Sequence, residues 1–326
     1  MGMKMRAALI GCGLAGSKRA VAHPDCQIVI CADIIMERAE ALAQRLPQAE
    51  ATTDWQMAVA RPDIDLVIVS TVHCALAEIT RAAIEAGKHV LVEKPAARSV
   101  AEIESLQKKA REKGVAVKVG FNHRHHPAVL QAKKLVDSGA LGPLILVRGR
   151  YGHGGRIGYE REWRADPGRS GGGELIDQGI HLIDLSRWFL GDFSQVYGTT
   201  STLYWEMPVE DNVFLCLKTP SGQIAWLHAS WTEWKNLFSF EIFGKSGKLQ
   251  IDGLGGSYAT ERLTLYKMRP EMGPPEAAVW EYPFPDRSFE LEFEEFSQAI
   301  EQKREPLGNL QDARAALEIV AKIYLK

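Results

Sequence analysis

The chain has 326 residues, 46% hydrophobic and 25% charged, the mixture of an ordinary soluble globular protein and enough for about two domains. Lys and Arg number 39 and Asp and Glu 41, a net charge of −2 that gives no electrostatic footprint for nucleic acid or an anionic membrane surface. No apolar run approaches the ~20 residues of a membrane helix, and the five cysteines form no CxxC pair, which argues against disulfide frameworks and structural zinc. With no apolar leader ahead of the first strand, a cytoplasmic location is expected.

Through the first 120 residues, short apolar runs alternate with amphipathic ones. Strands are predicted at 6–10, 27–32, 66–70, 89–92 and 115–120, and helices at 37–46, 78–86 and 100–113. The last helix opens on Ser99-x-x-Glu102, a capping box that marks a helix start. Near-continuous apolar strands separated by helices predict a doubly wound parallel α/β sheet over residues 1–121. After Phe121 the pattern changes. A helix at 127–137 and a strand at 144–150 lead into a polar, glycine-rich loop from 152 to 173, and an apolar helix follows at 174–190. Strand-like runs without intervening helices come next, at 195–204, 212–218, 223–231, 238–243, 248–251 and 263–267, then helices at 289–302 and 312–324. Residues 122–326 therefore read as an α+β domain with a mostly antiparallel sheet.

Gly11-Cys12-Gly13-Leu14-Ala15-Gly16 ends the first strand and opens a helical stretch, the context in which GxGxxG marks a dinucleotide-binding turn. The first glycine permits the turn, the second lets the backbone approach a pyrophosphate, and the third lets helix and strand pack closely. The helix N-terminus adds donors and the positive end of its dipole. Asp33, at the end of the second strand, would accept hydrogen bonds from both adenosine ribose hydroxyls and repel a 2′-phosphate; Ile34 and Ile35 offer no cation for one. The expected cofactor is NAD rather than NADP. The plain alternative is a glycine turn beside a solvated aspartate.

Glu93-Lys94-Pro95 follows the strand at 89–92, on the edge where all strands of a parallel sheet end. A lysine there is able to polarise a substrate oxygen and stabilise a developing alkoxide. By spacing alone, Lys-Pro after a strand is equally an ordinary loop start. In the helix at 174–190, Asp177, His181 and Asp184 fall within roughly 60° of one another, a polar stripe among Ile176, Ile180, Ile183 and Leu185. Burying Asp and His is costly unless they pair or do chemistry. Three readings stay open: an acid–base site, a hydrogen-bonded core pair, or a metal site that lacks a supporting His or Cys cluster. His123, His125 and His126 also look like metal ligands, but Arg124 among them argues for anion or hydroxyl binding. An extended chain would point His123 and His125 away from Arg124. Trp163 and Arg164 pair an apolar ring face with a hydrogen-bonding fork, suited to a sugar, although Trp163 would equally staple a long loop to the core. Arg124, Arg156, Arg161 and Arg164 together lean toward a carboxylated or nucleotide-linked sugar.

Taken jointly, GxGxxG with its strand-end Asp, HVLVEKP, GFNHR, EWRADP, GGGELIDQGIHLIDLSRWFLG and a closing ALEIVAKIY helix are specific. Across nearly the whole chain they resemble the glucose–fructose oxidoreductase, inositol dehydrogenase and rhizopine-catabolism family (Gfo/Idh/MocA). The resemblance implies a Rossmann domain, then a second domain whose large open sheet forms a homodimer or homotetramer. It implies NAD(P)-dependent oxidation or reduction of a secondary alcohol on a sugar, cyclitol or nucleotide-sugar, with Lys94, Asp177 and His181 catalytic. Cofactor contacts are implied for Gly11, Gly13, Leu14, Ala15, Gly16, Asp33, Thr71, His73, Glu93, Lys94 and Asn122. Substrate contacts are implied for Arg124, Trp163, Arg164, Asp177 and His181. The chain departs from the family pattern at Val72, where proline is usual, at Leu76, where histidine is usual, and at His125, where an aromatic ring is usual.

The expected protein is an NAD-dependent dehydrogenase in which His181 accepts the hydroxyl proton, Lys94 stabilises the alkoxide and Asp177 orients the site. A sugar-like small molecule is the expected partner, with no metal, nucleic acid or membrane. Two alternatives remain: a non-catalytic dinucleotide-binding sensor of the same fold, and an NADP-dependent sugar oxidoreductase. The presence of Lys94 and His181 speaks against the first, Asp33 and the lack of an export leader against the second.

Overall fold

The computed structural model describes residues 4–21, 26–271 and 273–325. They fall into two compact units. The first comprises the described residues up to Phe121 together with Phe289–Arg314, and the second comprises Asn122–Ser288 and the described residues from Ala315 onward.

In the first unit β1 (Met5–Ile10), α1 (Leu14–Val21), β2 (Cys26–Ala32), α2 (Met36–Ala43), β3 (Glu50–Thr52) and α3 (Trp55–Ala60) are followed by β4 (Leu66–Val69), α4 (His73–Glu85), β5 (His89–Val92), α5 (Val100–Lys113) and β6 (Val117–Val119). The strands pair in the order β3-β2-β1-β4-β5-β6, all parallel. Every residue of β4 is buried, which is why it reads as an unbroken apolar run rather than an alternation. α5 covers the predicted span because both ends are specified locally: the capping box forms, and Gly114 stops the helix in the left-handed region at φ 64°. β3 was not predicted, since its edge position leaves Glu50-Ala51-Thr52 without an apolar signal.

In the second unit α6 (Pro127–Asp137), β7 (Leu144–Gly152), α7 (Pro167–Ser170) and α8 (Ile180–Leu190) precede a run of strands. These are β8 (Gln195–Ser201), β9 (Asn212–Lys218), β10 (Ile224–Ser230), β11 (Leu237–Gly244), β12 (Gly247–Asp252), β13 (Glu261–Lys267) and β14 (Glu276–Tyr282). The sheet order is β14-β13-β12-β11-β7-β10-β9-β8, parallel at β7–β10 and antiparallel elsewhere. β12 alternates buried and half-buried residues, and β10 alternates exposed and buried ones in its first half, as strands do when helices cover one face only. α8 packs on the covered face against β7 and β10.

α9 (Ser288–Glu301) and the start of α10 (Leu310–Tyr324) return to the first unit, where Phe293 and Phe296 join a core that includes Leu9, Leu66 and Ile68. The sequence reading assigned everything beyond residue 121 to the second domain. An amphipathic pattern says that a helix hides one face, not which sheet receives it. The return is marked by charge as well. Arg19 of α1, buried, donates through Nε to Glu93 at 2.8 Å and pairs with the buried Glu292 of α9. Burial opposes the guanidinium charge, but Glu292 and Glu93 outweigh it and hold Arg19 protonated.

Candidate functional site

The glycine turn is built by close approach. Gly11 takes φ +96°, and a Cβ there would stand 2.4 Å from the Ser70 carbonyl oxygen. A Cβ at Gly16 would stand 1.9 Å from the Gly11 oxygen, so α1 starts against the turn only because that position carries hydrogen. Around Gly13 nothing lies within 4 Å of the Cβ position. That open space, at the N-terminus of α1 and flanked by exposed Leu14 and half-buried Ala15, is what a pyrophosphate requires. Asp33 follows β2, its Oδ2 accepting the Cys12 N–H at 2.7 Å and its Oδ1 the Ile35 N–H at 3.0 Å. A carboxylate has about four lone-pair sites, so it keeps capacity for ribose hydroxyls. These residues fit NAD, and exposed Ile34 brings no countercharge for a 2′-phosphate.

Beyond β4, Val72 takes φ −65° and ψ 154°, a backbone conformation that a proline would also adopt. Leu76 is fully buried core, His73 is a buried first residue of α4, and the Thr71 hydroxyl donates to the Val72 carbonyl at 3.3 Å. Lys94 is half-buried at the end of β5, and its peptide bond to Pro95 is cis. Glu93 accepts from Arg19 Nε at 2.8 Å. Asn122 is buried in the second unit, where its Nδ2 donates to Ser288 Oγ at 2.9 Å.

In the second unit, residues Leu175–Gly179 form a π-helical turn ahead of α8. The wider turn breaks the spacing of a regular helix, and the predicted polar stripe divides among three partners. Asp184 receives both Arg124 Nε at 2.8 Å and Arg124 Nη2 at 2.6 Å, a bidentate pair with both side chains buried. Asp177 accepts from Arg164 Nε at 2.9 Å. His181 stacks on His123, ring centroids 3.8 Å apart. Arg124 itself lies in a 3₁₀ turn, Asn122–His125, all four residues buried, so the alternation expected of an extended chain does not occur. A 3₁₀ turn brings every third residue to one side.

Each of the four arginines singled out in the sequence has a carboxylate partner. Arg124 is committed to Asp184 at 2.6 Å, Arg156 to Glu162 at 2.6 Å, Arg161 to Glu160 at 3.4 Å and Arg164 to Asp177 at 2.9 Å. Arg164 also lies 4.6 Å from the centroid of the Trp163 ring, so Trp163, Arg164 and Asp177 form one group. Burial works against its charge, but Asp177 and the surrounding oxygens raise its proton affinity above the ordinary value.

Sequence reasoning missed several side chains here. Tyr151 sits edge-on to His181 at 6.2 Å, Tyr258 lies 5.3 Å from Tyr151, and Gln178 donates to the Tyr258 hydroxyl at 3.4 Å. Burial, with Tyr258, Glu174 and Asp177 nearby, pushes the Tyr151 phenol far above its ordinary range, so it stays neutral. Tyr151 follows Val147 and Gly149 on the inward face of β7, one residue past the predicted strand end, and was legible by period. Tyr258, in a glycine-rich loop, carried no signal. Among the described residues no group of three or more His, Cys, Asp or Glu side chains is arranged to hold a metal ion. No described helix is long and apolar enough to cross a membrane.

Residues 5–121 match a family model described as an oxidoreductase family with an NAD-binding Rossmann fold, and residues 129–250 match the GFO/IDH/MocA C-terminal domain. The chain belongs to the Gfo/Idh/MocA family of oxidoreductases. Levoglucosan dehydrogenase of Pseudarthrobacter phenanthrenivorans is 30% identical over 255 residues, covering 68% of this chain and 63% of that protein. The NAD(+)-dependent scyllo-inositol 2-dehydrogenase of Bacillus subtilis is 31% identical over 195 residues, 58% of this chain and 54% of that protein. The chain thus spans less than two thirds of the length of these relatives. Among solved structures, levoglucosan dehydrogenase in complex with NADH and levoglucosan matches with a TM-score of 0.88 at 25% identity, over 97% of this chain and 95% of that one.

Proposed function

We propose that the chain is an NAD-linked dehydrogenase that oxidises a secondary alcohol on an uncharged sugar or cyclitol ring, or reduces the corresponding ketone. The observation that carries this reading is the burial of Asp177 and His181, each 5% exposed, in a helical segment of a chain that also holds an open glycine turn. The relatives named for levoglucosan and inositol dehydrogenation agree with it. When bound at Gly11, Gly13, Gly16 and Asp33, NAD supplies the hydride acceptor. The protein's own groups handle the proton. His181, of a residue type that ionises near neutrality, takes the hydroxyl proton at an imidazole nitrogen. Lys94, which follows β5, is assigned stabilisation of the developing alkoxide through its ammonium. Asp177 and Arg164 act as a pair that orients hydroxyls, beside the Trp163 ring face. Arg124, bound to Asp184, serves as a positioning residue rather than a substrate contact. An uncharged ring is favoured because Arg124 is already bound to the buried Asp184 and Arg164 to the buried Asp177.

The open face of the second sheet supports self-association. Tyr197, Cys216 and Trp226 lie opposite one another across β8, β9 and β10, with Tyr197 and Trp226 more than half exposed. A second copy covering that row gives a homodimer or homotetramer, testable by light scattering of wild type against Trp226→Glu. For the activity, the test is NAD reduction over cyclitols, free and anhydro aldoses, uronic acids and nucleotide-sugars. Turnover restricted to neutral rings is expected. Reduction of NADP alone, or preference for uronates, overturns the assignment, and NAD binding without turnover on any substrate points to a sensor.

A further inference from the structure

His181 has a partner that the reaction outlined above does not use. Its ring lies nearly flat on that of His123, centroids 3.8 Å apart and planes 24° from parallel. Both are buried. Tyr151 is edge-on to His123 at 5.0 Å and His126 is edge-on at 5.7 Å, so His123 is held on several sides. Its orientation is set from behind. The Asn122 amide nitrogen donates to Ser288 Oγ at 2.9 Å, which leaves Asn122 Oδ1 to accept from His123 Nδ1 at 3.2 Å. His123 Nδ1 then carries a hydrogen.

Two imidazolium rings at this separation repel strongly, so the stacked pair takes at most one proton near neutrality. A neutral His123 offers the face of its π-system to a protonated His181, a favourable cation–π arrangement strengthened by exclusion of water. Several charged groups surround His181. In its own helical segment Asp177 is bound to Arg164 and Asp184 to Arg124, while Glu174 is buried one turn earlier. From the 3₁₀ turn come His123, Arg124 and His125, and from β7 the neutral Tyr151. The inward residues of β10 are Ala225, Leu227 and Ala229, none of them titratable. Behind His123, His126 pairs with Glu261 at 2.9 Å.

We infer that His123 is a positioning residue for the proposed reaction: its stacked ring fixes the plane of the His181 imidazole and raises that ring's affinity for the proton taken from the alcohol. This rests on His181 being the general base. The test compares wild type with His123→Phe, which keeps a π-face, and with His123→Gln, which keeps a donor toward Asn122 but has no ring. The His181 ring is titrated by NMR in the NAD-saturated protein, and the pH profile of kcat/KM is measured alongside. In His123→Gln the His181 ionisation and the acid limb of the profile are expected to move down by about 0.5–1 pH unit, and in His123→Phe to stay close to wild type. An unmoved His181 in His123→Gln, or an equal shift in His123→Phe, overturns the inference. If His123→Gln does not fold, wild type alone still decides: two separate protonations of His123 and His181 above pH 5 overturn it, and a single shared one supports it. Because the NMR titration does not depend on turnover, a His181 that shifts as stated in a protein inactive on every sugar refutes the reaction and leaves the ring coupling standing.

Discussion

The glycine turn after β1 and the polar stripe leading into α8 are both short motifs whose partners lie far away in the chain, but they are held by different kinds of contact. In the turn, every contact has a backbone group on at least one side: Gly16 against the Gly11 oxygen, Gly11 against the Ser70 carbonyl, and the Cys12 N–H on the Asp33 carboxylate. In the stripe, every constraint is a side chain from another segment. Asp184 is met by Arg124, 60 residues earlier, and Asp177 by Arg164, 13 residues earlier. A motif that answers to backbone geometry carries its meaning in residue type and spacing. One that answers to side chains has no meaning until the chain has folded around it.

Removing Asp184 is the sharpest test of that contrast. Asp184→Ala strands a buried guanidinium, and a loss of ~3–5 kcal/mol in denaturant unfolding is expected. A loss within experimental error would mean that Arg124 finds water or another partner and that the pair does not organise the unit. Lys94→Ala comes next, with kcat reduced on the order of 10²-fold while NAD affinity, read by fluorescence titration, stays nearly intact. Unchanged turnover removes Lys94 from the chemistry. Asp33→Ala probes the turn itself. The ratio of kcat/KM for NAD over NADP should fall about tenfold, roughly the worth of one charged hydrogen bond, and a wild type that already prefers NADP contradicts the role given to Asp33.

The smallest effect concerns pH and lies away from both motifs. His89, at the start of β5, accepts the Ala116 N–H through Nδ1 at 3.0 Å, and burial holds its ionisation below 6.5 despite the nearby Asp65. The folded state therefore binds this proton less readily than the unfolded chain. The stability it contributes is complete above about pH 6.5 and is lost as pH falls from there through the lowered folded value. A decrease in Tm of the order of 2–4 °C is expected from this group between pH 7 and pH 5. His89→Gln keeps an acceptor that cannot take a proton near neutrality and should flatten that part of the curve; an unaltered slope assigns the dependence elsewhere.

By itself the sequence determined the elements whose signals are local. The capping box at Ser99 and the stop at Gly114 delimit α5, continuous burial marks β4, period-two burial marks β12, and the glycines with Asp33 mark the dinucleotide turn. The first three depend on hydrogen bonds within a few residues or on a repeat that a strand imposes on its own side chains, and the glycine turn depends on backbone approach that residue type and spacing mark. Only the tertiary structure decided that α9 belongs with the first unit, that a π-helical turn splits Asp177, His181 and Asp184 among three partners, that Arg124 and Arg164 are bound to Asp184 and Asp177, and that His123 lies on His181. The physical reason is the same in each case. Burial periodicity states that a side chain is hidden and what chemistry it brings, but the group that meets it is chosen by packing between segments far apart in the chain, where no local energy distinguishes one partner from another.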